Sequence, residues 1–243
     1  MTAWASGVVK RMTGDASGAG AIHRAAIELA SLAEEPLWLL PHRHCLGLTH
    51  LTSGSLSQAK AAFMTNLDDA SALGALMDRS YALGGLGRVA LIEGDAAVAE
   101  RYFREAAAQS FSFVDRATAW TGAGDAARAR GDLEAALASY RDGIETLGRG
   151  VSQSGYMLAG RVAAVLIGMG RREEGATIMG ALAALGRTAV EAGPWGADPE
   201  VIAAFSSVSQ DESLVAHWRA GERAGPRRPS SSPWAPSRFL DRH

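Results

Sequence analysis

Along most of this chain, apolar and small residues recur at three- and four-residue intervals, the spacing of one face of an α-helix. The pattern is clearest from Leu83 to Ala107, LGGLGRVALIEGDAAVAERYFREAA. It predicts two helices back to back, with Gly94-Asp95 as the turn between them. Gly84, Gly87 and Ala90 stand on one face of the first helix, and Ala99, Phe103 and Ala106 on one face of the second. Such faces let two helices approach closely: small residues clear the contact line and one aromatic fills the gap. The helical period persists and β-branched runs are missing, so the expectation is an all-α protein.

The same glycine-plus-polar turn recurs at Gly14-Asp15, Gly54-Ser55, Gly131-Asp132 and Gly170-Arg171, giving successive spacings of 40, 40, 37 and 39 residues. A regular period of this size signals stacked supersecondary units, here five helix pairs. In the second, Leu46-Gly47 precedes the turn, and Ala59 and Phe63 follow it. The fourth has Trp120, Ala123-Gly124 and Ala127 before the turn, then Ala136 and Tyr140. Asp132 and Glu134 suit a helix N-terminus, where carboxylates meet unpaired amides. The fifth, Tyr156 to Leu185, has Ala163 for the glycine and Met179 for the aromatic. The first, Thr2 to Glu34, is the poorest match; Trp4, Val8, Val9 and Met12 stripe its first helix, and Ile22, Ala26, Ile27 and Leu29 its second. Pro36 and Pro41 bracket the entry to the second pair, and either fits the first turn of a helix.

Gly193-Pro194-Trp195-Gly196 breaks the pattern. Two shorter helices are expected after it, Pro199 to Val208 and Asp211 to Ala220, the latter presenting Leu214, Val215 and Trp218 to a core. They suit the covering of a terminal repeat. The final stretch, GPRRPSSSPWAPSRFLDRH, has no helical period and reads as disordered. The expected organisation is a repeat array over 1–192, capping helices over 193–224 and a tail over 225–243.

A net charge of −2 and 47% hydrophobic residues suit a soluble globular protein. No apolar run reaches the roughly 18–20 residues that cross a bilayer, so no membrane partner is expected. The opening MTAWASGVVKRM lacks a secretion signal and Cys45 is the single cysteine, which together suggest the cytoplasm.

His42, His44, Cys45 and His50 are the tempting metal cluster, but helical geometry turns His44 about 200° from His42, so three ligands do not converge and no metal is expected. A phosphate-binding loop needs Gly-Lys-Ser/Thr, and neither Lys10 nor Lys60 follows a glycine. The glycines at Gly84-Gly85-x-Gly87 and Gly122-x-Gly124 fall inside predicted helices, where they serve packing. No cofactor and no enzyme activity are therefore expected. From Arg223 onward the chain holds five arginines and one aspartate, but without a helix-turn-helix signal no direct nucleic-acid partner is assigned. The remaining candidate is the concave side of the array, lined by the first helices of each pair. His44, Tyr81, Arg88, Asp125 and Arg128 are expected there, available to a peptide or ligand.

Leu83, Leu86-Gly87 and Ala90, followed by Ala99 and Phe103, resemble the tetratricopeptide signature, which implies a right-handed α-solenoid of about five tetratricopeptide-like helix pairs plus C-terminal capping helices. The period exceeds the usual value of about 34, so helices or links must be longer. From Ala82 to Ala224 the chain also resembles the C-terminal, MalT-like region of actinobacterial LuxR-family large ATP-binding transcriptional regulators. The most specific part is the end: Glu174 to Ala192 with Ile178-Met179-Gly180-Ala181, a Gly-Pro, a short helix, then Leu214 to Gly221, where those families carry an aromatic-Ala-Trp-x-x-Gly segment. The resemblance implies a sensor or regulatory interaction module, non-catalytic itself and served by an ATPase domain upstream or encoded separately. The chain departs from that pattern after Gly221. The alternative is a stand-alone tetratricopeptide adaptor that binds a peptide segment of a partner protein. Under the regulator reading, the N-terminal repeat is the edge through which the chain self-associates or meets its partner.

Overall fold

A computed structural model describes residues 2–148, 153–184 and 198–224. The break at 193–196, the tail 225–243 and the end of the helix expected to reach Ala192 lie outside them. All regular structure among the described residues is helical. The elements are α1 (Ala3–Met12), α2 (Ala16–Leu32), α3 (Pro36–Thr52), α4 (Leu56–Ala72), α5 (Leu76–Ile92), α6 (Ala96–Gln109) and α7 (Phe113–Ala129). They continue as α8 (Leu133–Leu147), α9 (Gln153–Gly168), α10 (Arg172–Ala184), α11 (Pro199–Ser209), a 3₁₀ turn (Glu212–Leu214) and α12 (Val215–Ala224). None of the described helices is long and apolar enough to cross a membrane.

The 40-residue period has a simple origin. α2, α3, α4 and α5 are each 17 residues long, and three-residue turns join them. The spacing shortens to 37 because α6 has 14 residues. Each turn closes in the same way: the second residue after the helix takes a left-handed backbone, and the next amide donates back to a carbonyl five residues earlier. Ser55 N to His50 O (2.8 Å), Asp95 N to Ala90 O (2.9 Å) and Asp132 N to Ala127 O (3.0 Å) are examples. Asp15, Asp95 and Asp132 then cap the following helix, accepting from Gly18 N at 2.8 Å, Val98 N at 3.2 Å and Ala135 N at 3.0 Å. Pro36 is the proline at a helix start; Pro41 lies inside α3.

Turns between pairs repeat this device. Gly74 (φ 65°) closes α4, and Glu34 (φ 55°) holds the equivalent place after α2. At α6 a polar lock replaces it: Ser80 Oγ lies 2.6 Å from Ser110 Oγ, and Arg116 Nη2 donates to Ser110 O at 2.7 Å.

The described residues form two compact units that divide after Ala126. In the first, the core is made of rings held by glycines. Phe63 of α4 lies between Gly47 of α3 and Gly85 of α5, and Phe103 of α6 lies between Gly87 of α5 and Gly122 of α7; a Cβ on any of the four would come within 2.9 Å of a ring carbon. His23 of α2 takes the corresponding place over Gly7 of α1.

In the second unit, Ala163, Met179, Val201, Val208 and Leu214 share a core, and Tyr140 is fully buried. α10 and α12 meet backbone to backbone, Gly180 against Trp218 O and Gly221 against Thr177 O, so neither position has room for a side chain. Leu214 is buried and Trp218 packs edge-on to Phe205 (centroids 5.2 Å apart), but Val215, expected in the core, is exposed. With Gly221 at the contact, the helix is rotated so that Val215 faces solvent.

Three substitutions test these contacts through stability. Glu34→Gly relieves a left-handed residue that carries a Cβ and is expected to stabilise by about 1 kcal/mol, whereas Gly74→Ala costs about as much. Urea midpoints at unchanged m-value check both. Phe63→Ala, which empties the slot between two helices, is expected to cost about 3–5 kcal/mol by the same measurement.

Candidate functional site

On α5, a rotation of 100° per residue puts Met77, Tyr81, Gly84 and Arg88 within about 60° of arc. Gly85 and Gly87 on either side face the two rings, and Ala82, Leu83, Leu86 and Val89 are buried. This leaves one narrow open stripe. Nothing lies within 4 Å of where a Cβ on Gly84 would be, so the stripe has a gap at its centre.

Four of the five expected site residues lie in the first unit. His44 of α3 sits against Tyr81 (centroids 5.4 Å apart) and Phe63 (5.6 Å). The Tyr81 hydroxyl donates to Asp115 Oδ2 of α7 at 2.9 Å. Burial, then this hydrogen bond, pushes the phenol up to about 12. Burial, with Arg88 and Arg11 nearby, pulls His44 down to about 3, so the imidazole is neutral; its Nδ1 is buried without a hydrogen-bond partner. Burial also lowers Arg88, and Arg11 adds to the shift. Asp125 is half-buried on α7.

Arg128, the fifth, belongs to the second unit and has a structural task. Its guanidinium reaches Asp198 Oδ2 at 3.0 Å and Glu200 Oε2 at 2.7 Å. Asp198 also receives Arg161 at 3.5 Å and caps α11 through Glu200 N at 3.0 Å. Burial raises the Asp198 carboxyl, but Arg128, Arg161 and the amide together hold it below the ordinary range.

The remaining histidines separate. His42 points to His23 of α2, Nδ1 to Nδ1 at 3.1 Å, so one ring donates and the other accepts. Cys45 is buried, and burial raises its thiol against opposing contributions from Arg11 and Trp4. Among the described residues, no three His, Cys, Asp or Glu side chains are grouped to hold a metal ion.

No protein-family model matches the chain, and no curated protein matches it. Solved structures do. One, of nearly identical TPR-like repeats from a Podosopora anserina protein described as a putative kinesin light chain, has a TM-score of 0.59 at 12% identity, covering 86% of this chain and 96% of that one. A single-residue variant of that protein gives 0.60 at 13%, over 86% and 95%. BtubC (BKLC) from P. vanneervenii gives 0.61 at 13%, over 93% and 83%. The fold is an all-α solenoid of tetratricopeptide-like repeats.

Within that repeat frame, two residues that sequence reasoning passed over are legible. Arg11 influences His23, His44, Cys45 and Arg88, and it occupies the repeat position that Arg128 holds in the fourth pair. His23 stands four residues after Ala19, as Phe63 does after Ala59. Looking only for an aromatic hydrocarbon hid it.

Burial, His42 and Arg11 together lower His23 to about 4 from an ordinary 6.5. The unfolded chain therefore binds more protons than the folded one between these values. Stability is full above pH 6.5 and falls as the pH drops towards 4, by on the order of 3 kcal/mol for this group. Urea unfolding at pH 7.5 and 4.5 is expected to show the loss, and His23→Phe to reduce it.

Proposed function

We propose that the chain is a non-catalytic protein–protein interaction module that grips a peptide segment of a partner protein on the first-helix face of its first unit. The observation that carries this is the open space over Gly84, flanked along α5 by Tyr81 and Arg88, with His44 packed against Tyr81. A peptide main chain fits where no side chain stands, and the Tyr81 phenol oxygen, which donates to Asp115, keeps lone pairs that can accept from a peptide amide. Such a face supplies recognition and has no activated nucleophile, since His44 is held neutral and Cys45 is held as the thiol. The exposed Val9, Met12 and Leu29 of the first pair support self-association through that repeat.

A second reading places the module as the C-terminal regulatory part of an ATP-binding transcriptional regulator, with the ATPase upstream or encoded separately. It is favoured by the Leu214–Gly221 segment, whose Gly221 makes the close α10–α12 contact. A neighbouring reading frame for a P-loop ATPase supports it, and a solitary gene opposes it.

Peptides selected from a random display library on the full chain test the first reading. Gly84→Leu fills the gap on an open helix face and is expected to leave melting unchanged or higher. It is also expected to weaken selected peptides by about tenfold or more, about 1.4 kcal/mol. Failure to enrich any peptide, or equal affinity for the variant, overturns the reading.

A further inference from the structure

The turns after α2, α4 and α6 share one edge of the first unit, because consecutive helices run antiparallel through three-residue links. At this edge each first helix opens with two large apolar side chains: Leu37 and Trp38 on α3, Leu76 and Met77 on α5, Phe113 and Val114 on α7. All six are between 40 and 65% exposed. On the opposite edge, at the turns before α2, α4 and α6, Met12 and Ile92 are the exposed large hydrophobics among the described residues. Leu37, Met77 and Val114 hold one repeat position, 40 and 37 residues apart, and Trp38, Leu76 and Phe113 adjoin it, so the six form a row, unlike the scattered exposure that any protein surface carries.

The charge beside this row is one-sided. Glu34 and Glu35 precede α3, Asp78 is in the first turn of α5, and Asp115 in that of α7. Arg43 pairs with Asp69 and Arg79 with Glu105 at 2.7 Å, while Arg116 donates to the neutral Ser110 O, so its charge offsets one of the four carboxylates and the balance stays acidic. Carboxylates suit helix N-termini on dipole grounds, which accounts for the acids but not for the apolar pairs beside them.

We propose that this edge docks a basic amphipathic helix of a partner protein, its apolar stripe on the row and its Lys or Arg side chains on the flanking carboxylates. Neighbouring packed helices lie about 10 Å apart, so the three pairs span about 20 Å, the length of roughly four helical turns or 14 residues. The charge selects the occupant. A second copy paired about a two-fold axis sets Glu34, Glu35 and Asp78 against acids of the same edge, and like charges there oppose association. An anionic bilayer is repelled for the same reason. Met77 shares the open stripe of α5 with Gly84, but the row lies at the turn edge, about two helical turns from the peptide-gripping gap, and it stands or falls without it.

The test uses the full chain and a fluorescein-labelled leucine–lysine amphipathic helix of about 14 residues, with a leucine–glutamate counterpart, read by anisotropy. The lysine helix is expected to bind at least about tenfold tighter than the glutamate helix. Trp38→Ser with Met77→Ser removes apolar contact at unchanged charge, and Glu35→Gln with Asp78→Asn removes charge at unchanged shape. Each pair is expected to weaken binding about tenfold, with helicity and melting retained. Glu134→Gln with Glu145→Gln, on the other unit, is expected to leave affinity unchanged. Equal affinity for the glutamate helix overturns the proposal, as does binding that is indifferent to the Trp38 and Met77 pair, which reports bulk charge alone. Concentration-dependent dimerisation of the peptide-free chain that the serine pair abolishes assigns the edge to a second copy and overturns it too.

Discussion

The first unit depends on one contact: a ring from a second helix lodged between glycines of the two first helices that flank it. Phe63 and Phe103 each do this, and α5 supplies a glycine to both. Close packing makes such a slot intolerant in both directions. A smaller side chain leaves a cavity, and a Cβ on the glycine pushes the ring away. The contact also couples neighbours, because each ring belongs to one pair and touches the next. This is the nearest-neighbour cohesion expected of a repeat array.

His23 shows what happens when the slot is filled by a different ring. An imidazole has nearly the right shape but two nitrogens that need partners in a dry place. His42 satisfies one of them, while Nε2 of His23 remains buried without a partner. The first pair thus keeps the geometry of the others at the cost of a sensitivity to acid that Phe63 and Phe103 do not bring. The same substitution explains why the first pair reads in sequence as the weakest match: the pattern of small residues is intact, and the residue type at its centre is changed.

The turns and helix pairs were legible because their chemistry is local. A glycine in the left-handed region followed by a polar residue is written in adjacent letters, and Gly14, Gly54, Gly94, Gly131 and Gly170 all take that conformation. Turns closed by Glu34, or by the Ser80–Ser110–Arg116 lock, carry no such letters. The candidate site was legible in part. His44, Tyr81 and Arg88 follow from helical rotation once the repeat register is known. Arg128 also sits where the register puts it, but its charge is claimed by Asp198 and Glu200, about 70 residues later, and no local pattern announces a contact at that separation. Arg11 was hidden because its pair was the least recognisable.

The slot also determines what the protein can present. With Gly85 turned to one ring, Gly87 to the next, and the leucines and valine of α5 turned to the second helices, only one stripe of that helix remains open. Its composition is therefore free of the demands of the rings, and it changes along its length. Met77 stands at the turn edge, Tyr81 and Gly84 in the middle, and Arg88 towards the other end. On α3 and α7 the order is similar, from Leu37 to His44 and from Val114 to Asp125. A repeat built on glycine slots thus separates two requirements within each first helix. One side carries residues whose size is dictated by a neighbour's ring, and the other carries residues that meet their neighbours through polar and ring-edge contacts, as Tyr81 meets Asp115 and His44. Exposed apolar side chains that persist on that side at one helical position in three successive pairs, Leu37, Met77 and Val114, find no explanation in the core. Their explanation lies in a surface that meets them from outside.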